Sequence, residues 1–239
     1  EMKMSGSAVV IGASGGIGRA LTQRRVAEGG FEAVWAVSRS AAAVPGAQAL
    51  AADLEDEDSL AQAAARIAQG AAPTLVLVAT GVLHEGFQPE RSLRQLEAEH
   101  LLRDYRINTV GPALVAKHLL PLLPRDRRAV FAALSARVGS IGDNRLGGWY
   151  AYRASKAALN MILRNLAIET ARTHPLAVVA GLHPGTVDTG LSAPFQKGVG
   201  EGRLFSPDHS AERLLAVAAG LTPGDSGGDV AWDGARIPE

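Results

Sequence analysis

Short apolar runs alternate with longer amphipathic stretches along the whole chain, and that alternation leaves few folds open. The runs occupy residues 8–11, 33–37, 47–51, 74–79, 129–134 and 177–182, and they are rich in Val, Leu and Ala without polar alternation. Such runs suit strands covered on both faces. Helical stretches fall between them, at about 16–28, 59–69, 92–120, 152–173 and 210–221. Strands interleaved with helices build parallel βαβ units. The pattern therefore predicts an α/β chain with one doubly wound parallel sheet of six to seven strands and helices on both faces, the tail at 228–234 offering a final strand and turn.

No linker, internal repeat or low-complexity tract interrupts the pattern, so one domain over residues 1–239 is expected. At 47% hydrophobic residues the chain can fill a sizeable core. Its 24 basic and 24 acidic residues cancel, and no nucleic acid or anionic membrane is expected as a partner. There is no cysteine, which excludes disulfides and thiolate chemistry, and the six histidines are too scattered for metal-ligand spacing, so no metal is expected. The longest apolar runs, such as 75–79, fall far short of the ~20 residues that span a bilayer. The run at 8–11 is a strand's length and not a signal peptide, which makes a cytoplasmic location the expectation. Glu1 and the residues just after it are left out of the fold argument.

Between the first strand and first helix stands Gly12-Ala13-Ser14-Gly15-Gly16-Ile17-Gly18, with glycines spaced G-x-x-x-G-x-G. A strand-to-helix turn bare of side chains lets backbone N–H groups approach a pyrophosphate, so Gly12, Ser14, Gly15, Gly16, Ile17 and Gly18 are candidate cofactor contacts in a Rossmann-type sheet. The alternative is a merely tight turn. The end of the second strand speaks to which nucleotide binds. Ser38 and Arg39 stand there with no acid. A basic group suits the 2′-phosphate of NADP(H), whereas NAD(H) calls for a carboxylate on the ribose hydroxyl. Arg39 as a plain solvated charge is the alternative. Asp53, followed by Leu54, is expected either to accept a hydrogen bond from the adenine amine or to cap the helix beginning near Ser59. Ala79, Thr80 and Gly81 end the fourth strand, where small residues let a ribose lie against the backbone.

In Tyr152-Arg153-Ala154-Ser155-Lys156 the tyrosine and lysine lie four residues apart, on one face of a helix. A phenol ordinarily titrates near ~10; an adjacent ammonium together with an oxidised nicotinamide would lower it and make it a usable acid or base. The alternative is a buried aromatic beside a solvated lysine.

These residues resemble the short-chain dehydrogenase/reductase family over nearly the whole chain, in particular its C-factor-like and sniffer-type carbonyl reductases. The resemblance rests on the glycine turn, on Asn108 in Ile107-Asn108-Thr109-Val110-Gly111-Pro112, on the strand-end Ser135, on Tyr152 with Lys156, and on His183-Pro184-Gly185-Thr186-Val187-Asp188-Thr189. It implies hydride transfer between a nicotinamide and a carbonyl or alcohol carbon of a small molecule, with Tyr152 as acid or base. Lys156 would also bond the nicotinamide ribose, Asn108 would help position a water linking Lys156 to solvent, and a serine hydroxyl would hold the substrate oxygen. Pro184, Gly185, Thr186 and Val187 would present backbone groups to the nicotinamide carboxamide, and Thr189 a hydroxyl. The resemblance further implies a homodimer or homotetramer built on the helices at about 111–120 and 152–173.

The chain departs from the family at the serine. Relatives carry two adjacent serines with the second one catalytic, and here Ala136 takes that slot behind Ser135. Three outcomes stay open: Ser135 takes the role, Ser140 takes it, or the oxygen is held more weakly. Ile11 replaces the usual threonine before Gly12, and Val78-Ala79-Thr80-Gly81 lacks the usual asparagine. His183 is read as a strand-end residue, since Tyr152 already fills the proton-transfer role. Trp149, Tyr150 and Phe195 either line a substrate pocket or simply pack. The Gly- and Pro-rich stretch 185–207 is expected to form a lid over the substrate, with an ordinary surface loop as the alternative. The loops at 82–89, 140–149 and 191–205 hold no charged cluster that would demand a charged substrate. Two other functions remain: an NADP(H)-binding regulatory or signalling protein without turnover, which the Ala136 change keeps open, and a nucleotide-sugar epimerase, which ordinarily has a longer C-terminal substrate domain.

Overall fold

Crossovers of a helix or an extended segment separate the consecutive strands, so parallel pairing is the natural outcome. The computed structural model describes residues 6–84, 86–200 and 202–239; Glu85 and Glu201, inside the loops expected to shape the substrate pocket, lie outside the described residues. In chain order the elements are β1 (Ser7–Ile11), α1 (Gly16–Glu28), β2 (Ala33–Ser38), β3 (Gln48–Ala51), α2 (Glu57–Ile67), β4 (Pro73–Val78), α3 (Ala98–Tyr105), α4 (Gly111–Leu119), β5 (Ala129–Leu134), α5 (Tyr150–Thr170), β6 (Ala177–His183), β7 (Thr186–Val187), β8 (Leu204–Phe205), α6 (Pro207–Gly220) and β9 (Asp229–Ala231). The main sheet has seven strands in the order β3-β2-β1-β4-β5-β6-β9, every pair parallel. The chain first winds outward from β1 to β3, then returns to place β4 on the other side of β1. That reversal opens a crevice at the carboxyl ends of β1 and β4, where open α/β sheets hold their ligands.

Successive side chains of a strand face opposite ways. Val9, Ile11, Val76, Val78 and Phe131 pack with Leu60 and Ile67 of α2, Val115 of α4 and Leu159 and Leu163 of α5. Their neighbours Ala8, Val10, Leu75, Leu77 and Val130 pack with Leu21 of α1 and Leu214 and Leu215 of α6. Two apolar layers thus sandwich the sheet, and the runs read without alternation because both faces are buried. No helix of the described residues is long and apolar enough to cross a membrane.

The structure corrects several boundaries. The helix expected over 92–120 is broken: a 3₁₀ turn at Leu93–Gln95, then α3, a π turn at Arg106–Val110, and α4. Pro112 supplies the reason, since it has no N–H to give the carbonyl of Asn108 four residues back, and a π turn absorbs the mismatch. Helix α1 starts at Gly16 as expected, whereas α2, α5 and α6 start two or three residues early. Asp56 caps α2 through the N–H groups of Asp58 and Ser59, and Ser206 caps α6 ahead of Pro207 by accepting from His209 N–H at 3.1 Å. Within the expected lid, β7 and β8 pair in parallel and tie its two ends together.

Candidate active site

The glycine turn is dictated by crowding. Gly12 has φ +86°, and a Cβ there would lie 2.8 Å from the Ala79 carbonyl oxygen; a Cβ on Gly18 would lie 2.1 Å from the Gly12 carbonyl oxygen. The turn closes by Gly15 N–H donating to the Gly12 carbonyl at 3.0 Å, and by the N–H groups of Gly12 and Ala13 sharing the Val37 carbonyl. Helix α1 then begins with Gly15 as its cap, no side-chain capping bond and no acid in its first turn. Its free N–H groups and the positive end of its dipole face the crevice. Gly16 sits under Thr189, whose Cγ2 would be 2.8 Å from a Cβ at that position.

One half of the crevice is lined by Gly12, Ser14, Gly15, Ser38, Arg39, Asp53, Leu54, Ala79, Thr80 and Gly81. Ser38 accepts from Ala42 N–H at 3.0 Å, which leaves its own hydroxyl proton available. Arg39 is exposed and makes no hydrogen bond or ion pair among the described residues. The capping alternative for Asp53 is overturned, because Asp56 performs it; Asp53 accepts from Glu55 N–H at 3.0 Å at the crevice wall. Thr80 Oγ1 is buried there without a partner.

The other half joins Gly16, Ile17, Thr80, Ser135, Tyr152, Lys156, Pro184 and Thr189. Tyr152 and Lys156 lie on the buried face of α5, 8% and 3% exposed. Lys156 Nζ donates to the Leu134 carbonyl at 2.7 Å and stands 5.9 Å from the centre of the Tyr152 ring. Burial lowers the lysine to about 8, against the opposing pull of Asp104 and Asp229. In the protein without a bound nicotinamide, burial, then the charge of Asp104, raise Tyr152 above its usual range. The phenol is therefore uncharged at pH 7.

Asn108 holds the crevice floor together. Its Oδ1 accepts from Val82 N–H at 2.9 Å, and its Nδ2 donates to the Val82 carbonyl at 2.9 Å and to Ser155 Oγ at 3.0 Å. Ser135 lines the crevice, but its hydroxyl donates to Asn160 Oδ1 at 2.5 Å. Ser140 is buried and accepts from Asp143 N–H at 3.0 Å. Gly185, at φ +77°, lets Phe205 approach its backbone, and Thr186 and Val187 lie in β7 at the rim of an adjoining apolar cleft. In that cleft the Trp149 and Phe195 ring centres are 5.0 Å apart, and Trp149 meets Tyr152 edge-on at 6.2 Å. Tyr150 stays half-exposed outside these ring contacts. Among the described residues, no group of His, Asp and Glu could hold a metal ion.

Sequence reasoning missed Asp104. It is 1% exposed on α3, which packs against α5, and neither carboxyl oxygen has a hydrogen-bond partner. Burial and the nearby Glu90 carboxylate push it up to about 7, with Arg103 and Lys156 pulling the other way. Glu90, also 1% exposed, accepts from Ala151 N–H at 3.2 Å and so caps α5 from the loop before α3. Because the Asp104 pKa is higher folded than unfolded, the stability linked to its proton is complete below about pH 4 and is lost as pH rises through about 7. Asp104→Asn is accordingly expected to melt several degrees above wild type at pH 8, with the gap narrowing on acidification and closing near pH 4. The upper bound is about 4 kcal/mol at ~2–4 °C per kcal/mol. Thermal melts of both proteins across pH 4–8 check this, and a pH-independent difference would contradict it.

This crevice, with its bare helix terminus and buried Tyr/Lys pair, is that of a nucleotide-dependent oxidoreductase. The family model for short chain dehydrogenase matches residues 7–199, and the chain belongs to that family, as its motifs anticipated. C-signal of Myxococcus xanthus is 34% identical over 147 residues, 62% of this chain and 83% of its own length. Alignments with two further curated relatives, 1-hydroxy-2-glutathionyl-2-methyl-3-butene dehydrogenase of Rhodococcus sp. and an uncharacterized oxidoreductase of Schizosaccharomyces pombe, span only 55% and 56% of those proteins. Among solved structures, the NADPH-bound carbonyl reductase from chicken fatty liver superposes with a TM-score of 0.86 at 24% identity, covering 100% of this chain and 96% of that one. The carbonyl reductase Sniffer of D. melanogaster follows at a TM-score of 0.82 and 23% identity, covering 98% and 100%.

Proposed function

We propose that this chain is an NADP(H)-dependent reductase of a small carbonyl compound, with Tyr152 as the proton donor and Lys156 and Asn108 supporting it. The observation that carries this reading is the buried Tyr152 and Lys156 standing where the glycine crevice meets an apolar, aromatic-lined cleft. The residues present fit a dinucleotide: the N–H groups at the start of α1 suit the pyrophosphate, the orphaned Thr80 Oγ1 a ribose hydroxyl, and Arg39 with Ser38 a 2′-phosphate. Asp53 and Leu54 would flank the adenine, and Pro184 to Thr189 the nicotinamide end. When bound, the nicotinamide supplies the hydride. The protein's part is to hold the carbonyl in the cleft, deliver a proton from Tyr152 Oη to the oxygen, and keep that phenol oriented through α5. The phenol is protonated at working pH, the form a donor needs, and a bound oxidised or reduced nicotinamide would set how readily it gives that proton up. Exposed Leu102, Tyr105, Met161 and Ile168 on α3 and α5 are consistent with assembly into a dimer or tetramer.

NADPH oxidation against a carbonyl panel, beside NADH, tests the reading. Arg39→Ala is expected to weaken NADPH binding about tenfold, the lower end for a charge-assisted bond because Arg39 is exposed, and to leave NADH binding unchanged. Equal weakening of both cofactors, in fluorescence titrations, would show that Arg39 does not read the phosphate. Ala136, with the Ser135 hydroxyl engaged on Asn160, favours a second reading of binding without turnover. Tight NADPH binding with no turnover across the panel would establish it.

A further inference from the structure

Reduction builds charge on the carbonyl oxygen, and an apolar cleft must offer that oxygen hydrogen-bond donors. Tyr152 is one such donor, and its hydroxyl has no protein partner among the described residues. The other polar side chains of the cleft are largely engaged. Ser135 donates to Asn160 at 2.5 Å, Arg137 pairs with Asp143 at 3.0 Å, Thr189 Oγ1 reaches the Val187 carbonyl at 3.4 Å, and Ser192 donates to that same carbonyl. Thr186 makes no side-chain hydrogen bond among the described residues either, but it stands exposed at the rim; the half-buried exception is His183. It ends β6, it lines the cleft beside Ala136, Trp149 and Tyr152, and its Nδ1 accepts from Arg137 N–H through a long bond of 3.4 Å. That N–H belongs to the peptide directly after Ala136, so the imidazole lies by the backbone next to the residue that stands in the serine slot. With Nδ1 accepting, the ring proton sits on Nε2, which has no partner among the described residues.

We propose that His183 Nε2–H donates a hydrogen bond to the substrate carbonyl oxygen, beside the phenol of Tyr152. This rests on the reading of the site as a reductase. Burial, with the Arg137 guanidinium nearby, holds the imidazole down at about 4 against the pull of Asp233. The ring is thus a neutral donor across the working pH range, as in sites where an uncharged imidazole polarises a carbonyl. It shuttles no proton, and the acid remains Tyr152.

The test uses the full-length protein with NADPH and a turned-over carbonyl. His183→Leu is expected to lower kcat about 10²–10³-fold, the loss typical of one oxyanion donor, with NADPH Kd unchanged and Tm lower by only a few degrees as Arg137 N–H loses its long bond. His183→Gln, which keeps an N–H near the Nε2 position, retains most of the activity. Adding Ala136→Ser to His183→Leu restores tenfold or more of the lost kcat, because a hydroxyl then reaches the same oxygen. Nitrogen-15 NMR of the unaltered protein at pH 7 shows a neutral His183 protonated on Nε2. Tyr152-dependent turnover indifferent to His183→Leu, or a ring protonated on Nδ1 alone, overturns the inference and leaves the reductase reading standing. Absence of turnover by the unaltered protein on every carbonyl fells that reading, and the role of His183 with it.

Discussion

Tyr152→Phe is expected to cut carbonyl-dependent NADPH oxidation by about 10²–10⁴-fold while leaving NADPH binding and Tm unchanged, the range that a positioned general acid contributes. The substitution removes one oxygen and keeps the ring that packs on Trp149. Its Oη makes no hydrogen bond within the described protein, so no partner is orphaned and no stability is lost. Loss of rate with intact binding would isolate proton delivery as what the hydroxyl does. In the unaltered protein the rate should also fall on the alkaline side, as Lys156 loses its charge near pH 8. Rate profiles against pH and paired NADPH titrations decide the matter; a Phe variant within a few-fold of wild type would remove Tyr152 from the chemistry.

Gly18→Ala should damage the cofactor half as severely. The added methyl would meet the Gly12 carbonyl oxygen at 2.1 Å, its carbon at 2.7 Å and Ala13 N at 3.2 Å, all backbone atoms that cannot rotate aside. Relief requires α1 to move away from the turn. Overpacking of this kind costs about 1–3 kcal/mol, and at ~2–4 °C per kcal/mol the melting temperature should drop by roughly 2–12 °C. On the proposed cofactor placement, the displaced helix would also withdraw its N-terminus from the pyrophosphate. With up to ~2 kcal/mol from that source, NADPH Kd should rise as much as roughly 30-fold. Gly220→Ala is the control, since a Cβ at the end of α6 would meet nothing within 4 Å. Thermal melts and NADPH titration of both variants distinguish a steric requirement at Gly18 from a general intolerance of the chain to alanine.

The fold was legible because its signal is long and redundant: unbroken apolar strands, helical stretches between them, and a glycine turn at the first crossover. The Tyr152/Lys156 pair was legible because spacing along a helix fixes which residues share a face, whereas Asn108 was legible only through the family resemblance. Pro112 stood in plain view, and its missing N–H was reason enough to expect the break in the 92–120 stretch. Asp104 was harder. It sits four residues before Asn108, a hint of a shared face, but its burial depends on how α3 meets α5, and Glu90 reaches Ala151 across a separation of 61 residues. The state of Ser135 hangs on a single hydroxyl rotor and a side chain 25 positions away, which no local pattern encodes. The depressed pKa of His183 likewise comes from burial by distant elements. Local periodicity carries the scaffold, and long-range packing sets the electrostatics.

The pairing of β7 with β8 has an evolutionary consequence. Thr186 is matched with Leu204 and Val187 with Phe205, so the chain between them leaves and returns through one small ladder. Lengthening a loop whose ends are already fixed is cheap, about 0.6 kcal/mol for each doubling. Beyond Thr189, which packs on Gly16 of the glycine turn, the stretch whose Ser192, Phe195 and Val199 line the apolar cleft can therefore accept insertions and deletions with little effect on the turn anchored on β1. On the proposed reading, selection could retune what the cleft admits by splicing one cassette while β1, α1 and α5 keep their places.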